Sequence, residues 1–389
     1  MSGRDPLCPP HRARQGAALT LVFAGVIVAG AVTGAFPDPD HPAPRTTTPV
    51  PVSAVRDESV RDAAARAMAD GTSPMEAAER AVSRSGDRWG AVYSEGEYQE
   101  FQDSLDGRYT GVGLSTAREQ DGRIEVTGVR PGSPAAAAGI RTGDRLRSVD
   151  GVRADGLPVT EVVARLRGDP DDAPAGTTVT LGLQRGTRAW TRTLRRATLT
   201  TDSVSVRRLS ARATLIRVAA FTKGTGARVR EALRAAPAGA GIVLDLRGNS
   251  GGLVTEAVAT ASAFLDGGLV ATYDVDGAQR ALHATPGGDT GRPLVALVDG
   301  GTMSAAELLT GALQDRGRAV VIGTRTFGKG SVQMPTNLPD GSVAELTVGH
   351  YRTPSGHAVD GRGITPDLEA GDGVLRRAET VLTGLGEAD

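Results

Sequence analysis

Lysine is nearly absent from this chain: of 44 basic residues, all but Lys223 and Lys329 are arginine. Arginine stays protonated under ordinary conditions, so a chain of this kind has only two side chains that burial could turn into a neutral amine base. Cysteine is scarcer still. Cys8 stands alone, which excludes an intramolecular disulfide and any cysteine cluster for a metal. Aromatic residues make up 3%, and no run pairs basic residues with stacking rings, which argues against single-strand binding. A net charge of −1 gives no general electrostatic case for nucleic acid. No His-Glu-x-x-His pattern is present, so neither a metal site nor a cofactor is implied. With 389 residues, the chain exceeds a single ordinary core, and about two or three domains are expected.

What is present centres on two stretches. The first is Gly300-Gly301-Thr302-Met303-Ser304-Ala305-Ala306-Glu307. It follows the apolar run Leu294–Val298, which has the length of a buried parallel strand, and precedes Ala305–Leu313, which has helical spacing. A serine at such a corner projects its hydroxyl off the sheet. The helix N-terminus beside it offers free N–H groups to a developing oxyanion. The simpler reading is a helix cap, with Glu307 completing a capping box. The second stretch is Phe327-Gly328-Lys329-Gly330-Ser331-Val332-Gln333. Lys329 is a candidate general base. Gln333, on a short strand, either orients its amine without adding charge or simply faces solvent.

Together the two stretches resemble the Ser–Lys–Gln centre of the carboxyl-terminal processing, or tail-specific, serine proteases. The resemblance implies Ser304 as nucleophile, Lys329 as general base and Gln333 as the orienter of the lysine. Arg247-Gly248-Asn249-Ser250-Gly251-Gly252, between an expected strand at Gly241–Leu246 and an expected helix at Leu253–Leu265, resembles the family's glycine loop. By that likeness, Gly251 or Gly252 shares an oxyanion hole with the N–H of Ala305. The family often has proline where this chain has Ser250. Tyr109-Thr110-Gly111-Val112-Gly113-Leu114, with Gly132-Ser133-Pro134, Gly143-Asp144 and Asp150-Gly151 further on, is similar to a PDZ domain. Read alone, Gly111-Val112-Gly113 is a hairpin turn. Read with its neighbours, Gly111, Val112, Gly113 and Leu114 form a nest for a peptide's terminal carboxylate beside an open strand edge.

Nearer the N-terminus, residues 16–36 are an uncharged apolar run preceded by Arg4, Arg12 and Arg14. This is expected to be a transmembrane anchor, with a cleaved signal segment as the alternative. Residues 37–51 carry six prolines and form a stiff linker. Residues 52–106 have helical spacing, with Ala63, Ala67, Met68, Met75, Ala78 and Val82 on the inner face. Asp87-Arg88-Trp89 stands where the family usually has Asp-Pro-Tyr, a departure expected to leave the chemistry untouched.

The expected architecture is multidomain α/β. A membrane segment (1–36) and linker (37–51) lead to a helical region (52–106), a PDZ domain (107–198), an α/β ClpP/crotonase-like catalytic core (199–368) and a tail (369–389). The resemblance implies an endopeptidase acting on protein or peptide tails with free C-termini, tethered to the cell membrane with its catalytic domain outside the cytoplasm, or secreted. Homo-oligomerisation stays open. A histidine-based serine protease would need one of His283, His350 or His357 in a motif with mechanism, and none is. The rival from another class is a membrane-tethered, non-catalytic PDZ scaffold, which would have no need of Ser304 or Lys329.

Overall fold

The computed structural model describes residues 52–119, 121–275 and 278–386. The expected membrane segment, the proline-rich linker and Cys8 lie outside them. No described helix is long and apolar enough to cross a membrane.

The unit that carries Ser304 is built on parallel strands Ala213–Val218, Gly241–Asp245, Leu294–Val298, Val320–Gly323 and Leu368–Glu369, paired in that order. Val204–Arg208 joins antiparallel at the first edge. These strands are apolar on both faces because both are covered. Ile242, Leu244, Leu294 and Ala296 pack toward the side carrying the helices Val254–Phe264 and Ala305–Asp315. Val243, Val295 and Leu297 pack toward the helix Val374–Gly386 through Val374, Ala378 and Leu382. Most of the 369–389 tail is therefore a helix closing one face of the core.

A second sheet carries the lysine side of the site. Val343–Arg352 is its spine, paired antiparallel with Ser331–Asn337, Ala91–Tyr93 and Leu269–Val275. Ala91–Tyr93 comes from the N-terminal region, so a ladder joins that region to this sheet. The helices Val52–Ala69 and Pro74–Ser85 continue the join, packing Val60, Ala64, Ala78 and Val82 against Leu338, Ala344 and Leu346. Met68, expected on the inner face, is 50% exposed. Ala67 is buried as expected, and the stripe reaches it through Val60 and Ala64 at three-to-four spacing, with Ala63 half-buried at its margin.

The expected PDZ unit has its own core and a sheet in the order Leu114–Arg118, Ile124–Val129, Arg145–Val149, Thr178–Arg185, Arg188–Arg195. Leu114–Arg118 is an edge strand, and the helix Val159–Arg167 packs beside it. A short ladder of Arg108–Gly111 with Ala197–Thr200 connects this unit to the rest.

Candidate active site

Ser304 sits where the buried strand Leu294–Val298 gives way to the helix Ala305–Asp315. Its backbone has φ 53° and ψ −118°, a left-handed conformation that costs a non-glycine residue roughly 1–3 kcal/mol. Bonds around it hold the corner in place. The preceding Met303 N–H donates to Asn249 O (2.9 Å), Ser304 N–H donates to Glu307 Oε2 (2.9 Å), and the Tyr351 hydroxyl lies 2.7 Å from Ser304 O. Ser304 is 2% exposed.

The glycine loop is braced against the same corner. Asp299 Oδ1 accepts the N–H groups of Gly248 (2.8 Å) and Gly301 (2.9 Å), tying the two turns together. Asn249 is wholly buried, and its Nδ2 donates to Val218 O at 2.9 Å. Its Oδ1 accepts the N–H of Gly251 at 2.9 Å, so that N–H is already engaged. Bracing by Asn249 supplies rigidity that a proline at position 250 would otherwise give. A Cβ on Gly251 would stand 3.0 Å from Ser304 Cβ, and one on Gly252 would run into Phe221 O at 2.4 Å. Only glycine allows the loop this close. The N–H groups of Gly252 and Ala305 make no hydrogen bond in the described structure outside regular helix and strand pairing.

Lys329 is 1% exposed. Its amine makes no hydrogen bond to Ser304 Oγ and lies instead 5.1 Å from the centroid of the Trp89 ring. Burial lowers its pKa to about 8, opposed by the negative charges of Glu345 and Asp87. Gln333 is also buried. Its Nε2 donates to Trp89 O, which leaves Oε1 without a partner. The glutamine thus grips the turn that carries Trp89, and no hydrogen bond joins it to the amine.

Glu307 does far more than cap a helix. The wholly buried carboxylate accepts four hydrogen bonds, from Thr326 Oγ1 (2.5 Å) and Gly328 N–H (2.7 Å) on Oε1, and from Ser304 and Lys329 N–H (2.9 Å each) on Oε2. Tyr351 completes the clamp from the carbonyl side, its hydroxyl 2.7 Å from Ser304 O and 2.9 Å from Lys329 O. Burial raises the pKa of both groups.

Trp89 corrects the expectation that the Asp87-Arg88-Trp89 departure lies away from the chemistry. Asp87 pins this turn onto the second sheet by accepting Trp89 N–H (3.1 Å), Gly90 N–H (3.0 Å), Thr347 N–H (2.7 Å) and Thr347 Oγ1 (2.8 Å). The indole then covers the lysine and packs on Phe327, with ring centroids 5.7 Å apart. Beside Ser304 is a small apolar recess lined by Val254, Leu282, Leu308, Val332 and Tyr351.

In the PDZ unit, Gly111 is paired with Ala197 in the connecting ladder, and Val112 is 1% exposed within the PDZ core. Gly113 has φ 81° and abuts Ser133, and Leu114 begins the open edge strand. Of these four residues, Gly113 and Leu114 are the two at the start of the open edge strand.

Comparison with known proteins places this geometry. Residues 212–370 match the model of peptidase family S41, and residues 125–185 match that of the PDZ domain. The carboxy-terminal-processing protease of Bartonella bacilliformis is 32% identical, with 75% of this chain and 68% of that protein covered. The chloroplastic carboxyl-terminal-processing peptidase 3 of Arabidopsis thaliana is 34% identical over 76% of this chain, which spans 60% of that relative's length. The solved photosystem II D1 C-terminal processing protease superposes with a TM-score of 0.51 at 29% identity, covering 80% of this chain and 86% of that one. With an α/β peptidase unit, a PDZ unit and these relatives, the chain belongs to the carboxyl-terminal-processing peptidases of family S41.

Proposed function

We propose that this chain is a serine endopeptidase that captures protein C-terminal tails on its PDZ unit and cleaves them through a Ser304–Lys329 dyad. The observation that carries the reading is the shared carboxylate of Glu307, which fixes the backbones of a strained serine and a buried lysine to one point. In the mechanism, the Lys329 amine swings from the Trp89 face onto Ser304 Oγ, takes its proton, and leaves Oγ to attack the scissile carbonyl. The N–H groups of Gly252 and Ala305 receive the oxyanion. The ammonium then gives its proton to the leaving amine, and water, deprotonated by the same amine, releases the acyl group. Gln333 supports the base through Trp89. The small apolar recess suits a small apolar side chain next to the scissile bond. The ClpP/crotonase-like description of the core, the membrane tether at residues 16–36 and an extracytoplasmic or secreted location are part of this proposal, and the last two rest on sequence alone. Homo-oligomerisation is left open.

Incubation with an unstructured polypeptide tests the reading. Wild type is expected to hydrolyse it, with kcat/KM rising with pH through about 8 as the amine loses its proton. Ser304→Ala and Lys329→Arg should both be inactive, because arginine keeps the charge and cannot act as a base. Substantial activity in the arginine variant would sink the base assignment. A wild type without activity that still binds free-acid tails would favour the scaffold.

A further inference from the structure

Glu345 lies on the strand Val343–Arg352, opposite Pro335 on one side and Ala91 on the other. Two residues on, Thr347 stands opposite Gln333, so with a period of two Glu345, Thr347 and Gln333 share one face of the sheet. That face is closed to water: Glu345 is 0%, Thr347 7% and Gln333 1% exposed. Neither carboxylate oxygen of Glu345 has a hydrogen-bond partner, and neither has Gln333 Oε1. Buried acceptors are normally satisfied, and a buried carboxylate without a donor is costly. The cation that faces it is the Lys329 amine, held over the ring of Trp89, the residue whose backbone carbonyl binds Gln333.

The other charged groups around this amine are already engaged. Asp87, from the turn before Ala91–Tyr93, accepts from Trp89, Gly90 and Thr347. Glu307 is filled by its four donors, and Asp360 accepts Gly330 N–H and pairs with exposed His350. Arg88 stacks on Trp89, with Cζ 4.5 Å from the ring centroid. Tyr93 and Tyr98 are phenols raised above their usual pKa, first by burial and then by Glu345, so they are neutral here. Among the described residues facing Lys329, Glu345 is the anion with both oxygens free.

We propose that Glu345 is a positioning residue for the reaction, the counter-ion that balances the ammonium formed whenever Lys329 takes a proton from Ser304. The proton passes from Oγ to Nζ and on to the leaving nitrogen, and Glu345 neither gains nor loses one in the cycle. The inference rests on Lys329 being the base. Burial lowers the lysine to about 8 and raises the glutamate to about 7, each opposed by the charge of the other, so the two titrate as a coupled pair.

Glu345→Gln removes the anion that favours the ammonium. The amine should then lose its proton at lower pH, moving the acid limb of kcat/KM down by about one unit. At high pH the same variant should be slower than wild type by about tenfold, because the ammonium of the transition state has lost its counter-charge. The two profiles converge toward low pH, whereas simple structural damage would lower the rate equally at every pH. Glu345→Asp, which keeps the charge, should return toward the wild-type limb.

The scarcity of lysine gives a direct readout. Lysine-selective 13C labelling of the full chain carrying Ser304→Ala should show two side-chain signals, with exposed Lys223 as internal reference. Lys329 is expected to titrate about one unit lower with Glu345→Gln than without it, while Lys223 stays fixed. An unchanged Lys329 midpoint overturns the proposal. If the glutamine variant does not fold, the parent spectrum decides: a coupled pair gives Lys329 a two-step titration, and a single step overturns the assignment. A chain that hydrolyses nothing refutes the peptidase reading and leaves the titration to judge the pair. An active chain whose Lys329 ignores Glu345 refutes the pair alone.

Discussion

The Lys329 amine stands 5.1 Å from the centroid of the Trp89 ring, though 240 positions separate the two residues in sequence. The ring belongs to the N-terminal region, so the environment of the amine is completed only when that region's strand, Ala91–Tyr93, pairs with Val343–Arg352. Dehydration of the amine is thus coupled to docking of a different part of the chain. A cation over an indole gains about 0.5–2 kcal/mol, which on its own would favour the ammonium. The net shift is nevertheless downward, to about 8, with burial as its largest cause.

Trp89→Ala follows from that balance. Water admitted to the amine should raise its pKa by about one unit, since the lost burial outweighs the lost ring attraction. A base with a higher pKa stays protonated to higher pH, so the acid limb of kcat/KM should move upward. A downward movement, read from rates across pH 6 to 10, would show that the ring acts mainly as a cation site.

The conformation of Ser304 yields a stability prediction. At φ 53° a Cβ is strained, and alanine retains that strain while glycine does not. Ser304→Gly should therefore be more stable than Ser304→Ala by about 1 kcal/mol, or roughly 2–4 °C in the melting of the catalytic unit. The reverse order in thermal melts would mean that the corner is relaxed in solution.

The serine, the lysine and the glycine loop stand out in sequence because each lies in a short motif, and backbone bonds tie all three to one corner of the structure. The strand Leu294–Val298 and helix Ala305–Asp315 were legible from apolar patterning, although the helix runs two residues further than its spacing indicated. Trp89 was not, because its role comes from a strand pairing that joins distant segments. Glu345 was hidden by its own pattern. Alternation with Ala344 and Leu346 gives strand spacing alone, and what covers the polar face is the turn at Asp87–Gly90, from a distant part of the chain. Glu307 was visible as a helix cap, but its bonds to Gly328 and Lys329 cross 21 and 22 positions and follow no local spacing. Gln333 has the polarity expected of it and a different partner, the carbonyl of Trp89.

Glu307→Gln tests the clamp. An amide offers one acceptor oxygen where the carboxylate has two, so its NH2 group would face N–H donors that now have a partner. Buried bonds to a charged acceptor contribute roughly 1.5–3 kcal/mol each, and a net loss of about 3 kcal/mol in unfolding free energy is expected. The separation of Ser304 from Lys329 should then loosen, lowering kcat more than it raises KM. Wild-type kcat in a variant confirmed as folded by denaturant titration would remove Glu307 from any positioning role.

The remaining prediction concerns which tails reach Ser304. Leu114–Arg118 is an unpaired sheet edge beside the helix Val159–Arg167, which allows an extended peptide to add as a further strand. At its start Gly113, with φ 81°, sets the turn where a terminal carboxylate would be received. Charge-assisted bonds to such a carboxylate are worth roughly 1.5–3 kcal/mol, so amidating a short peptide's C-terminus should weaken its use by about ten- to a hundredfold. Gly113→Val should abolish the preference, because a Cβ there would stand 2.3 Å from Ser133 Cβ and the backbone would be strained. Free-acid and amidated forms of one peptide, compared on both enzymes, provide the measurement. Equal turnover of the two forms by wild type would place selection in the recess beside Ser304, since a PDZ groove that reads tails must distinguish a carboxylate from an amide.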